Sequence, residues 1–554
     1  MNATVAGLLQ IGVLLIALAA AYRPLGDYMA KVYTSKKHLK VERAIYRVTK
    51  VNPDNEQKWT TYAAGVLGIS FVSIALLYLM MRFQPLLPFN FGRGAVDSGT
   101  AFNTAVSFVT NTNWQSYVPE VVMGHSVQML GLTVQNFLSA AVGMAVAIAL
   151  IRGFTRNGSD RLGNFWVDLV RGTVRILLPF AAISAVVLIA GGVVQSLTSG
   201  VDVTSVDGSA HTIALAPTAS QEAIKELGTN GGGIFNANSA HPFENPNSFT
   251  NLFEIFLLLV IPVSLTRTFG VLVGNKRQGY VLLSVMGVLF AALLTVTWLS
   301  EANANGVAAA AAGGAMEGKE QRFGVAGSAL WAIATTGTST GAVNSMHDSF
   351  SGLGGGMTML NILFGEVTPG GVGTGLYGIL VVAIIAMFLA GLMVGRTPEY
   401  LGKKLGRREV TCAAISILAM PTVVLVGTGL TMMMPGELSA ALTNSGPHGL
   451  SEVLYAFASA GNNNGSAFAG LTVTSPWFQG ALGMAMLFGR LIPILAVLCL
   501  AGSLAAQKKV PETSGTLPTT GPLFASMLGG TIVLVAALTF IPALALGPIA
   551  EALA

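Results

Sequence analysis

Charge is what this chain lacks: only 10% of its 554 residues are Asp, Glu, Lys or Arg, while 52% are hydrophobic. With a mean hydropathy of +0.65, that deficit excludes a soluble domain of this length, which would need a charged surface, and places the chain among polytopic membrane proteins. Cysteine is nearly absent, and Cys412 and Cys499 both sit in apolar runs, so neither a disulfide framework nor a cysteine metal site is indicated. There is no G-x-x-x-x-G-K-[ST] loop and no DKTGT-type phosphorylation sequence, hence no visible means of binding a nucleotide. His125, His211, His241, His347, His448 and His38 show no ligand spacing and read as structural.

What is present is a series of long apolar runs, approximately 4–22, 62–81, 127–151, 176–194, 252–273, 280–299, 376–394, 412–433, 480–501 and 523–545. Crossing the hydrocarbon takes about 20 residues, so these predict about ten spans of an all-α protein embedded in a lipid bilayer. No Lys or Arg precedes the first run, which therefore reads as an uncleaved helix and not as a secretory signal. Most of the 30 basic residues fall into one alternate set of loops, among them Lys36, Arg43, Arg156, Arg171, Arg175, Arg267, Lys276, Lys403, Lys404 and Lys508. Cytoplasmic loops retain positive charge, which puts both termini outside and makes the net charge of +5 topological, with no hint of nucleic acid. Acids lean the other way, Glu222, Glu226, Glu244, Glu301, Asp348, Glu452 and Glu551 among them, and predict an outer face that attracts cations.

Between these runs lie four short loops, small, rich in amide or hydroxyl, and free of Asp and Glu: 109–115, 228–235, 337–344 and 461–468. Each follows a segment too short to span, 98–108, 220–227, 328–336 and 451–459, and each segment begins with Ser, a favoured helix N-cap. Span, re-entrant helix, loop and span thus recur four times, at intervals far longer than the ~20–50 residues of solenoid repeats. The units fall at 61–155, 171–275, 279–397 and 411–505, between a first helix with its basic loop, 1–60, and a last helix, 523–554. Anchored on Thr112, Gly231, Gly341 and Gly465, the loops read TNT, TNG, STG and NNG.

Irregular backbone at membrane depth is tolerated only where it is buried or lines a water-filled cavity. Four such loops around a pseudo-fourfold axis can turn their carbonyls on a dehydrated cation, and without carboxylates they suit a monovalent ion. The predicted filter comprises Val109, Thr110, Asn111, Thr112, Gly228, Thr229, Asn230, Gly231, Ser339, Thr340, Gly341, Asn462, Asn463, Asn464 and Gly465, with Gln115 tuning it. Packing turns are the competing reading for any single loop; four at matching positions favour a filter.

Two further features fall inside spans. Arg490 sits in the ninth run, where a charge marks function; it is expected beneath the filter as a barrier to leakage, or else in an ion pair with Glu254. The stretch 352–378, with Glu366, Pro369, Gly370 and Gly371, breaks the span of the third unit.

The segments TNGGGIFNANSAHPFENP (229–246), VTNTNWQ (109–115), MHDS (346–349), GEVTPGGVGTGLY (365–377) and GNNNGSAF (461–468) resemble the potassium-binding subunits of bacterial Kdp pumps, the KdpA family, in motif order along essentially the whole chain. The resemblance implies a channel-like subunit of the superfamily of K⁺ transporters in the bacterial inner membrane, with K⁺ as the transported ion. It would not hydrolyse ATP itself but would work beside a P-type ATPase subunit, KdpB, with KdpC and a small KdpF. By the same resemblance the broken helix, with Glu366, blocks the direct path and sends ions sideways towards the ATPase subunit. Thr340 stands where cysteine is expected in the family, and the Ala/Gly-rich 303–315 reads as an outer insertion. A passive K⁺ or Na⁺ channel of the same superfamily is the alternative; a secondary transporter or membrane enzyme would need more intramembrane acids than Glu254 and Glu366.

Overall fold

The computed structural model describes residues 3–304, 307–511 and 516–553. Among the described residues ten helices are long and apolar enough to span a membrane: Ala3–Thr34, Trp59–Arg82, Val127–Thr155, Phe165–Ala190, Ser248–Leu272, Lys276–Ala302, Thr374–Val394, Arg407–Met432, Pro476–Ala506 and Pro522–Leu553. All ten apolar runs fall within these helices or overlap them, but several helices are longer than their runs. The first continues past Arg23 because Leu25, Met29, Val32 and Tyr33 are buried and Asp27 pairs with Arg267 at 2.7 Å. The fourth begins eleven residues before the start of its run: Asn164 caps the backbone N–H groups of Trp166 and Val167. Arg171 and Arg175, expected in a loop, are therefore helical, Arg171 donating to the Ser35 carbonyl at 2.7 Å and Arg175 pairing with buried Glu42 at 2.5 Å.

Short helices Ser98–Val109, Thr218–Leu227, Gly324–Gly337 and Gly446–Asn462 separate the spans of four successive units. In the second span of each unit 83%, 78%, 50% and 61% of the most apolar window is buried, against 28%, 28%, 33% and 28% in the first spans. The second spans are thus the inner ring, and alanine and glycine let them approach. A Cβ on Gly153 would lie 2.9 Å from the Ala501 backbone, so the third and ninth helices pack main chain against main chain.

The expected serine caps are absent. Asp97, one residue earlier, caps the first pore helix, accepting from Gly99 and Thr100, and Ser220, Ser328 and Ser451 lie inside their helices. Ser220 and Ser451 instead donate back to the carbonyls of Pro217 and Pro447, the local bonding that hydroxyls offer in mid-helix. Asp97→Ala is expected to cost about 1 kcal/mol of stability, read as a lower unfolding midpoint, with Ser98→Ala nearly silent.

Two features were not foreseen. Gly200–Thr204 and Ala210–Ala214 form an antiparallel hairpin, Asp202 opposite Thr212, whose alternating valines and Asp207–Gly208 turn are the ordinary hairpin signature. Glu399–Tyr400 and Lys403–Lys404 form a smaller one. Of the Ala/Gly-rich segment, Val307–Ala312 is helical, and residues 305 and 306 lie outside the described residues.

Basic segments gather on one face: Lys403 donates its Nζ protons to the carbonyls of Arg156 and Gln507, at 2.6 and 2.7 Å. The first described helix begins, and the last ends, on the other, pore-helix face, where Gly7 packs on Trp298 and Glu551 reaches His448.

Candidate ion filter

All four pore helices end in the same way. The backbone N–H groups of Thr112, Asn230, Thr340 and Asn464 each donate to the carbonyl five residues back, on Ser107, Lys225, Thr335 and Ser459, at 2.9, 2.8, 3.2 and 2.8 Å. The residue before each is left-handed: Asn111 (φ +64°), Thr229 (+46°), Ser339 (+57°) and Asn463 (+62°). None is glycine, and positive φ on a β-branched threonine is strained, as backbone at functional sites often is. This shared turn also corrects the register of the repeat. Thr112 corresponds to Asn230, Thr340 and Asn464, and the partner of Gly231, Gly341 and Gly465 is Asn113, itself at φ +57°. A tripeptide match that rewards shared threonines and asparagines slips by one residue here because the first loop has no glycine.

Close contacts join the loops in a ring. A Cβ on Gly231 would lie 2.5 Å from Gly341 Cα, one on Gly341 2.8 Å from Gly465 C, and one on Gly465 1.7 Å from the Thr112 carbonyl oxygen. The ring closes where Gly232 (φ +69°) meets the Asn113 carbonyl and Gln115. Side chains reinforce it: Asn111 Nδ2 donates to the Thr229 carbonyl at 2.8 Å, Asn463 Nδ2 to Thr112 Oγ1 at 3.0 Å, and the Gly341 N–H to the Asn230 carbonyl at 2.7 Å. Thr110 and Thr112 share a hydroxyl–hydroxyl bond of 2.8 Å, and Thr338 and Thr340 repeat it in the third loop. Val109 closes the first pore helix, Gly228 abuts the Asn230 side chain, and Asn462 ends the fourth pore helix with its amide on the Ala458 carbonyl. Gln115 bridges two loops, donating to Tyr117 Oη at 3.0 Å and to the Gly233 carbonyl at 3.1 Å.

Behind the second loop lies a buried network that the sequence did not disclose. Lys225, fully buried, meets Glu222 at 2.6 Å, Glu244 at 3.0 Å and Glu226 at 3.6 Å. Glu244 also accepts the N–H groups of Ile234 and Phe235, and Asn238 ties the Gly232 carbonyl to the third loop through Val343 N–H. These acids, read from sequence as a cation-attracting outer face, are instead internal braces, as is Glu301, which holds Lys319 at 2.8 Å. The available signal was the glutamate of HPFENP placed after three glycines. Removing one member of a buried charge network leaves its partners unpaired, at about 3–5 kcal/mol. Glu244→Ala is accordingly expected to lower the unfolding midpoint strongly and Glu320→Ala, half-exposed on the surface, very little.

In the third unit, helix Gly352–Leu363 is followed by irregular chain and then by the span Thr374–Val394. This chain packs against the second and third loops. Gly370 N–H donates to the Gly337 carbonyl at 2.7 Å, Val372 N–H to Thr229 Oγ1 at 2.9 Å, and a Cβ on Gly371 would lie 2.8 Å from Ser339 Cβ. Buried Glu366 accepts from the Ser339 hydroxyl and, at 2.8 Å, from Asn464 Nδ2. Arg490 lines, with Glu366, Ser339, Asn463 and, from the last span, Val535 and Phe540, a cavity of about 130 Å³. The ion pair of Arg490 with Glu254 is absent: Glu254 is buried beside Glu222 and Glu226, held there by its place on the fifth span.

Comparisons with known proteins agree in scope. The family model described as "Potassium-transporting ATPase A subunit" (KdpA) matches residues 12–553. A "Potassium-transporting ATPase potassium-binding subunit" of Rhodococcus erythropolis is 62% identical over 100% of both chains. The protein of the same description from Mycobacteroides abscessus is 59% identical, again over 100% of both. The solved potassium transporter TrkH of Vibrio parahaemolyticus shares the fold at a TM-score of 0.53 and 14% identity, over 89% of this chain and 96% of that one. With its four span–pore helix–loop–span units and its end-to-end relatives, the chain belongs to the KdpA family of potassium-transporting ATPase A subunits.

Proposed function

We propose that this chain takes K⁺ from outside through the ring of four loops and hands it to a partner P-type ATPase subunit, KdpB, in a complex with KdpC and KdpF. The observation that carries this reading is the closed backbone contact from Gly231 through Gly341 and Gly465 to the Thr112 carbonyl. Carbonyl dipoles on such a ring replace the hydration shell of a monovalent cation without a formal anion. The filter residues are those named from the sequence, with the ring itself formed about Thr112, Asn230, Thr340 and Asn464. The pore-helix face is the outer one, since the basic face answers to the cytoplasm; both termini are then outside the inner membrane. The chain binds no nucleotide, and ATP is used by the partner.

Below the ring, Glu366, Gly370 and Gly371 close the straight path, Arg490 repels a cation that strays into it, and the lateral cavity leads to the partner. A passive channel of the same superfamily needs no such barrier. Expression of the chain with and without its partner subunits separates the two: K⁺ uptake that requires the copurifying ATPase and ATP supports the proposal, and equal uptake by the chain alone overturns it. Gln115→Ala removes the bridge between the first two loops, worth about 1 kcal/mol, and is expected to weaken apparent K⁺ affinity about fivefold. Unchanged affinity and selectivity would remove Gln115 from the filter.

A further inference from the structure

Away from the filter, on the pore-helix face, three separate parts of the chain converge on one imidazole. Asp348 lies in the turn His347–Ser349 after the third loop, His448 and Glu452 lie one turn apart on the fourth pore helix, and Glu551 lies in the closing helix Ala550–Leu553. His448 Nε2 stands 2.9 Å from Asp348 Oδ1, and its Nδ1 stands 2.9 Å from Glu551 Oε1. One ligand atom from each of Asp348, His448 and Glu452 lies within 4.8 Å of the others.

Glu452 supplies the second observation. It is 0% exposed, and its Oε1 accepts from Thr443 Oγ1 and from the backbone and side-chain amides of Asn444. Its Oε2 is buried with no hydrogen-bond partner. A Cβ on Gly470 would lie 2.5 and 2.7 Å from the Asp348 carboxylate oxygens and 2.6 Å from Glu452 Oε1, so both carboxylates press on a position that only glycine leaves open. A buried carboxylate oxygen is costly unless it meets a donor or a metal. Two carboxylates beside an imidazole nitrogen are a donor set suited to zinc and similar borderline divalent ions. A further carboxylate on the other ring nitrogen is the arrangement that orients a metal-bound histidine.

We propose that Asp348, His448 and Glu452 form a site for a divalent cation of the zinc class, with Glu551 positioning His448. Such an ion clamps the fourth pore helix, the segment leaving the third filter loop and the end of the chain to one another. The site is independent of how K⁺ passes the filter. Without an ion, the alternative is a protonated His448 that bridges Asp348 and Glu551 and leaves Glu452 Oε2 unused.

The test is titration of the EDTA-stripped full complex with Zn²⁺ alone against a chromophoric chelator. One tight Zn²⁺ per chain is expected, weakened at least 100-fold by His448→Gln or Glu452→Gln and about 10–100-fold by Glu551→Gln, which acts through the ring. No binding by the unmodified complex, or binding unmoved by both His448→Gln and Glu452→Gln, overturns the proposal. Should the variants fail to assemble, X-ray absorption on the unmodified zinc-loaded complex decides. A histidine shell with oxygen at about 2.0–2.2 Å supports the site, and a shell without histidine refutes it.

Discussion

Gly465→Ala in the assembled complex is expected to abolish high-affinity K⁺ uptake, while Gly480→Ala leaves it unchanged. Gly465 adopts φ +93°, and an added methyl would stand 1.7 Å from the Thr112 carbonyl oxygen, whereas nothing lies within 4 Å of a Cβ on Gly480. The contact is with backbone on both sides, so no side chain can swing away; the fourth loop must retreat or the Thr112 carbonyl must turn. Overpacking costs about 1–3 kcal/mol, which, expressed wholly in the ion-bound ring, weakens K⁺ binding by up to about 100-fold. Gly231→Ala and Gly341→Ala press on backbone in the same way, at 2.5 and 2.8 Å, and should follow in that order of severity behind Gly465→Ala. Uptake kinetics over a range of external K⁺ measure this directly. A Gly465→Ala complex with the parent's apparent affinity would mean that the ring is packing and not a filter.

Arg490→Gln is expected to open a leak. Arg490 is buried in the ninth span, makes no hydrogen bond or ion pair among the described residues, and lines the cavity that holds Glu366. A unit charge about 6 Å from a passing cation, at an effective dielectric of about 20, raises its energy by about 3 kcal/mol. Removing that charge should therefore raise ATP-independent K⁺ flux by roughly 100-fold. Glu366→Gln acts differently, because Glu366 takes hydrogen bonds from Ser339 of the third loop and Asn464 of the fourth; it should loosen selectivity as well as coupling. ⁸⁶Rb⁺ efflux from proteoliposomes without ATP is the readout. Equal efflux from parent and Arg490→Gln complexes, with ATP-driven uptake intact, would leave the arginine without a role as barrier.

Much of the architecture is legible in the sequence because membrane insertion imposes strong, local rules. Span length, the pairing of each loop with a short preceding helix, and the break around Pro369 to Gly371 are all properties of contiguous residues. What is hidden is whatever depends on two distant segments meeting. Helix ends shifted where a partner element buried them, as with Arg175 on Glu42. The register of the first loop was obscured because Asn113, at φ +57°, stands where the other three loops have glycine. Glu222, Glu226 and Glu244 look like solvated loop acids until Lys225 is found among them, fully buried. Serine caps failed because the first pore helix is capped by Asp97, one residue before its serine, and the other three begin two to five residues before theirs.

The measurement that tests the central claim most directly is the position of a K⁺ surrogate: anomalous diffraction from crystals of the complex grown in Tl⁺. A peak on the axis enclosed by Thr112, Asn230, Thr340 and Asn464, lost in Gly465→Ala, is the result expected. Tl⁺ bound only elsewhere, with no density within the four-loop ring, would contradict it.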